Sequence, residues 1–285
     1  MKHKIICVAV LALSATFFVS CGPGGSDQKD TVESFDEETD REKSISSDET
    51  VRTRTVVFPS ATEIMSVFKN AGLKFKPGVT ADINSKSNFD TRFQKAIGAG
   101  IYTSGLAYHV IHNQSAQAPE YLKAVLELTA DMGISGVSTD DELVTRFEQS
   151  LGDEDEMLNI ISDVQAKTDA SIDENDMQDW ATLIFSAAWL EGMYIGVEAN
   201  DNFSKGDLSR RIAEQMGILD NQIRVLEDTE LQGEEFSDFL SELKLLNDYY
   251  LDLPEVQESE GIPKLGLNQL KNISDQIKDL RNSLM

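Results

Sequence analysis

Cysteine is nearly missing from this 285-residue chain, which has two. Cys7 lies inside an apolar run near the start, and Cys21 directly follows that run. The long remainder therefore has no Cys pair for a metal knuckle, a redox motif or an intrachain disulfide, and its stability has to come from a packed core. Histidine is scarce: of three, only His109 and His112 lie beyond the apolar run. Positive charge is in short supply, with 25 Lys and Arg against 50 Asp and Glu and a formal net charge of −25. Nucleic acid is bound through a clustered basic face, so this balance excludes it as a partner. Glycine-rich phosphate loops, nucleophile elbows and metalloprotease helices are missing. Ser, His and acidic residues occur, but no spacing groups them for catalysis. No enzyme activity, cofactor or metal site is expected.

The N-terminus carries an address. Met1-Lys2-His3-Lys4 is basic, Ile5 to Val19 is mostly apolar, and Ser20-Cys21-Gly22 is small. That order describes a secretory signal over residues 1–20. The apolar part is about 15 residues, short of the roughly 20 that span a bilayer. Phe18-Val19-Ser20-Cys21 resembles a bacterial lipobox, with Phe18 where Leu is usual. The resemblance implies cleavage before Cys21 and acylation of its thiol. Several acyl chains on one Cys, palmitate among them, would hold the protein at a membrane where a single chain would not. It also implies a cell-envelope location, as an outer-membrane lipoprotein on either the surface or the periplasmic face. Loss of Lys2 and Lys4 with the signal leaves the remainder more negative than −25.

Residues 21–55 change in character. Gly22-Pro23-Gly24-Gly25-Ser26 leads into Asp, Glu, Ser and Thr, with Phe35 as the large apolar exception. Such a segment cannot bury enough surface to offset its ordering entropy, so a disordered acidic tether is expected. At about 35 residues its end-to-end distance would be on the order of 30 Å. Ser26-Asp27-Gln28-Lys29-Asp30 resembles the surface-export signals of Bacteroidota lipoproteins, and Asp30-Thr31-Val32 resembles the O-glycosylation pattern of that phylum. The resemblance makes Thr31 a candidate glycosylation site; a plain solvated spacer accounts for the same residues.

From 56 to 285 the patterning is helical throughout. Ser60-Ala61-Thr62-Glu63 is a capping box opening a helix that runs to Ala71, with Gly72 as its stop. Lys74 to Asn88 reads as loop, marked by Pro77-Gly78. Phe89, Phe93, Ile97 and Ile101 recur every four residues in a long helix over 89–113. A helix from Pro119 to Met132, a short one over 140–151 and another from Asp153 to Ser171 follow. In the second half a long helix over 175–199 precedes three more, ending near Met216, Leu231 and Leu253. A last helix over 267–284 carries Leu270, Ile273, Ile277, Leu280 and Leu284 on one stripe, with Lys271 and Lys278 facing an otherwise acidic protein.

The halves look duplicated. Ser104-Gly105-Leu106-Ala107-Tyr108 is matched by Glu191-Gly192-Met193-Tyr194, and Ala130-Asp131-Met132-Gly133-Ile134 by Glu214-Gln215-Met216-Gly217-Ile218. Leu151-Gly152-Asp153-Glu154 is matched by Gln232-Gly233-Glu234-Glu235. The expected fold is all-α: a multi-helix bundle or short α-solenoid of two tandem four-helix repeats, about 89–172 and 175–253. An extra N-terminal helix and a closing helix over 266–284 complete it.

Two helices each hold a long stretch that is almost uncharged, Ile97 to Ile111 in the first and Trp180 to Val197 in the second. Small residues recur every four positions in each: Ala96, Gly100 and Ser104 in the first, Ala188, Gly192 and Gly196 in the second. Such stripes let another backbone come close, in membranes as well as in cores. The surrounding amphipathic helices favour two central helices packed on each other in water. Glu191 is the one charge inside the second, where it needs a partner or a raised pKa, which makes it a candidate ligand-binding residue or a paired structural acid. His109 and His112, three apart, share a helix face and are candidate ligand-binding residues, but no third metal ligand is near in sequence.

The signal, the tether and the paired long helices with Gly and Tyr, followed by helices ending in Met-Gly-Ile, resemble uncharacterised helical lipoproteins of Bacteroidota. That family implies no activity. The expectation is a membrane-anchored, non-enzymatic binding or scaffolding module for an envelope protein. The alternative is a small-molecule or ion binder with a pocket between the two long helices, near Glu191 and His109.

Overall fold

Helix-start chemistry in the sequence is realised from the first described turn. The computed structural model describes residues 59–114, 116–134, 141–200, 203 and 207–285, all within one compact unit, Arg54–Met285. The signal, Cys21, Thr31 and the 21–55 tether lie outside the described residues. Helix α1 (Ala61–Asn70) opens on the expected box, in which Ser60 Oγ accepts from the Glu63 N–H and the Glu63 carboxylate accepts from the Ser60 N–H at 2.6 Å. It stops at Gly72, whose φ of 99° suits a residue without Cβ. A 3-10 turn, Ile83–Asn88, then precedes α2 (Arg92–Ile111).

Helix α2 begins later than the apolar periodicity predicts. Thr91 and Gln94 form a second capping box there, and Phe89 stays outside the helix. Its ring folds back onto Gly98, where a Cβ would come within 2.6 Å of it. Phe89 is a core residue reached from the loop side, which is why it mimics the helical spacing.

The remaining helices are α3 (Ala118–Asp131), α4 (Asp141–Gln149), α5 (Glu154–Glu174), α6 (Gln178–Glu198), α7 (Leu208–Met216), α8 (Leu219–Glu227), α9 (Glu234–Leu251), the one-turn α10 (Pro254–Gln257) and α11 (Leu267–Ser283). Among the described residues there is no strand, so the fold is all-α.

Helices α2 and α6 form the centre. A Cβ on Gly100 would lie 2.3 Å from the Ile184 carbonyl oxygen, so the two backbones touch there. Ser104 Oγ donates to the Ala188 carbonyl at 2.6 Å, satisfying a hydroxyl with no solvent exposure. The second small-residue stripe divides its loyalties. Ala188 faces α2, while Gly192 and Gly196 receive α1 through Ile64, Met65 and Phe68. By length and composition α6 could cross a membrane (mean hydropathy 1.2), but 67% of that window is buried inside this fold. It is the one such helix among the described residues.

The order of helix lengths is similar in the two halves: 20, 14, 9 and 21 residues for α2 to α5, and 21, 9, 9 and 18 for α6 to α9. The packing is less alike. Helix α3 lies along α2, whereas α11 rather than α7 makes the longer contact on α6, and α11 also meets α9. The result is a helical bundle around the α2–α6 pair.

Candidate functional site

Glu191 stands near the middle of α6 with no solvent exposure. Its partner comes from the last helix. Arg281 of α11, itself 7% exposed, donates from Nε at 2.8 Å and from Nη2 at 3.2 Å to the two carboxylate oxygens. The fork geometry of a guanidinium suits this two-point contact. The Arg281 guanidinium also lies 4.4 Å over the Tyr194 ring. Burial pushes the Glu191 carboxyl up from its ordinary range, while Arg281 and the Ala81 backbone N–H draw it back. Desolvation works against the charge on Arg281, and Glu191 more than offsets it, so its pKa rises.

From Ala81 the polar contacts run on toward the histidines. Tyr121 Oη donates to the Ala81 carbonyl at 2.8 Å and lies 2.7 Å from Thr80 Oγ1. Thr80 Oγ1 is in turn 3.3 Å from His109 Nε2. Tyr102 Oη donates to the Asp82 carbonyl at 3.0 Å, and Tyr108 Oη accepts from the Lys76 N–H at 2.7 Å. The loop over 74–82 is therefore tied to α2 and α3 through buried hydroxyls. Burial pushes the Tyr102, Tyr108 and Tyr121 phenols up, keeping them protonated as donors.

The two histidines lie together at the C-terminal end of α2, His109 in its last turn and His112 as its cap. Phe75 lies 5.7 Å from the His109 ring and 6.1 Å from the His112 ring, and Tyr121 lies 4.9 Å from His109. Burial pushes the His109 imidazole down, with the Gln114 backbone offsetting part of this. His112 is pushed down to about 4 by burial, helped by Lys69 and His109. Both rings are neutral at physiological pH and packed in an aromatic cluster. Among the described residues no group of three or more His, Cys, Asp or Glu could hold a metal ion.

Glu191 and His109 are thus joined through the Thr80–Ala81 backbone, but around protein atoms rather than around a space. At Gly100 and Ser104 the α2–α6 contact is closed. The open space lies to one side. A cavity of about 210 Å³ is covered by α5 and walled by Leu106 of α2, Leu122 and Leu126 of α3, and Ile184 and Phe185 of α6. Two of its hydroxyls are already used: Thr103 donates to the Ala99 carbonyl at 2.7 Å and Thr129 to the Val125 carbonyl at 2.8 Å, while Gln165, Thr168 and Asp169 of α5 also line it. Neither Glu191 nor the histidines line it. Its cover, α5, lies between two left-handed turns, Gly152 (φ 94°) and Asp176 (φ 54°).

Reading the sequence misses Arg281 and the stitched loop. The signal for Arg281 was present: it follows Ile277 by four residues, on the buried stripe of α11. Lys278 behaves as expected of a cation facing acids, meeting Glu198 at 2.7 Å, with Lys76 on the same carboxylate at 3.0 Å. No protein-family model matches this chain, and no curated protein or solved structure is significantly similar to it.

Proposed function

We propose that this chain is an exported, lipid-anchored, non-enzymatic binding module that takes an uncharged apolar ligand in the cavity beneath α5. The observation that carries the reading is the cavity itself: mostly apolar walls in which the Thr103 and Thr129 hydroxyls are already satisfied, under a helix set between two left-handed turns. A cavity of about 150 Å³ with such walls stays dry and admits benzene, so this slightly larger one suits a short alkyl chain or a small ring system. Charged ligands would lose their hydration there without compensation. The ion pair of Glu191 acts as framework in this reading, since Arg281 holds both carboxylate oxygens, and the histidines pack among Phe75, Tyr108 and Tyr121. The address rests on the Phe18-Val19-Ser20-Cys21 segment, with the acidic 22–55 segment holding the module away from an outer-membrane surface. Kinship with helical Bacteroidota lipoproteins, and glycosylation at Thr31, belong to the same proposal.

Titration of the mature protein with a neutral naphthylamine dye tests it. Saturable one-to-one fluorescence enhancement at micromolar dye is expected, with loss of binding in Val125→Trp, which fills the cavity from α3. Absence of saturable binding, or equal binding by a folded Val125→Trp, would count against the reading.

A further inference from the structure

We propose that the groove between α9 and α11 is a docking surface for a basic, amphipathic peptide segment of another protein. The groove encloses about 580 Å³. Its floor is apolar, built from Phe93 and Ile97 of α2, Phe239 of α9, Leu280 of α11 and Leu284 at the cap of α11. Its walls carry one sign of charge: Glu235, Asp238 and Glu242 from α9 and Asp279 from α11, with no Lys or Arg among the lining residues.

Of the four cations on the two helices, three are engaged elsewhere. Lys244, the one basic residue of α9, holds Glu227 at 2.6 Å. On α11, Lys278 and Arg281 hold Glu198 and Glu191, and Lys271 lies two turns before Asp279. Glu235 accepts from Thr91 and Gln94. Among the described residues Asp238, Glu242 and Asp279 form no ion pair. Like charges facing one another across a groove repel, and a cation seated between them relieves that repulsion.

The occupant's chemistry follows from three features. An apolar floor calls for an apolar anchor, and acidic walls call for Lys or Arg flanking it. The third is length. Positions 235, 238, 242, 245 and 249 share one stripe of α9, so the wall continues through Leu245, which is 57% exposed, to the half-buried Tyr249. That stripe is about 21 Å long, more than a small organic cation spans and the length over which a helical peptide presents successive anchors. The chain's own acidic 22–55 segment and anionic lipid headgroups have the wrong charge to occupy it. This inference is independent of the cavity beneath α5, and either can fail alone.

The test uses the full mature protein and a labelled synthetic helix of Leu and Lys with its leucines on one face, read by fluorescence anisotropy. Micromolar binding that weakens as salt rises is expected. Combining Asp238→Asn, Glu242→Gln and Asp279→Asn should weaken binding about tenfold, and Leu245→Ser should weaken it several-fold. Combining Glu120→Gln, Glu142→Gln and Glu148→Gln on α3 and α4 removes the same charge and should leave affinity within about twofold. Equal weakening by both triple variants would reduce the effect to bulk acidity and overturn the proposal. So would a peptide that does not saturate, or a small alkylammonium that binds the groove as tightly as the peptide.

Discussion

Removing one partner of the Glu191–Arg281 pair should be among the most damaging single changes in this protein. Arg281→Met keeps most of the side-chain volume but strips Glu191 of its two charge-assisted hydrogen bonds while leaving the carboxyl with no exposure. Breaking a buried pair this way costs about 3–5 kcal/mol. At the few degrees per kcal/mol typical of a domain this size, the thermal midpoint should fall by about 10 °C. The pH dependence carries a second signature. Burial already pushes the Glu191 carboxyl up, and loss of the guanidinium removes the main influence drawing it back. A group whose folded pKa is raised stabilises the fold below its unfolded pKa and loses that contribution as pH rises. Arg281→Met should therefore be more destabilised relative to the parent at about pH 8 than at about pH 5. Replacing both partners, Glu191→Leu with Arg281→Met, should recover most of the loss, because two apolar side chains need no compensation there. Lys278→Met is the control. Its pair with Glu198 is about one-third exposed on each side, and such pairs contribute about 0–1 kcal/mol. Urea titrations followed by far-UV circular dichroism measure all four proteins. An Arg281→Met midpoint within about 1 kcal/mol of the parent, or a double variant no better than the single one, would refute the claim that this pair is dry and mutually dependent.

Three further outcomes follow from the same contacts. Gly100→Ala should destabilise by about 2–3 kcal/mol or more, because its Cβ would meet α6 backbone at 2.3 Å, whereas Gly192→Ala, whose Cβ would meet the Ile64 side chain at 3.2 Å, should be milder; thermal melts compare them. His112 has a folded pKa pushed down to about 4 from an ordinary 6.5, so it stabilises the fold above the ordinary value and that contribution is lost as pH falls toward 4. Equilibrium unfolding of His112→Phe across that window should show a flatter acid limb, and an unchanged limb would dismiss the buried-neutral assignment. Cys21→Ser should shift the protein from the detergent phase to the aqueous phase in a cloud-point partition, and mass spectrometry of the parent should find acyl groups on Cys21.

Local chemistry was the readable part of this fold. Ser60 with Glu63, Pro119 near a helix start and Gly72 at a helix stop each act within one turn, and the structure uses all three as the spacing implies. Periodicity also placed the right faces inward, because burial depends on which side of a helix a residue occupies. It failed where the chain reached the core without a helix. Phe89 keeps four-residue spacing from the loop side, and the 74–82 segment puts Val79 and Ala81 into the core while tyrosine hydroxyls from α2 and α3 pair with its backbone.

Glu191 shows where such reasoning stops and how it could go further. Helical spacing says that position 191 faces inward, but not what it meets, and its partner lies 90 residues away. A carboxylate cannot stay ionised in a dry core alone, so a lone charge on an apolar stripe demands a complement on another. Arg281 sits on the buried stripe of α11 beside Leu280 and Ile277, and the demands of the two residues cancel. Matching charges by burial in this way would have set α11 against α6. It would also have withdrawn Glu191 as a free ligand group, since a carboxylate held at both oxygens by a guanidinium has little left to offer a guest.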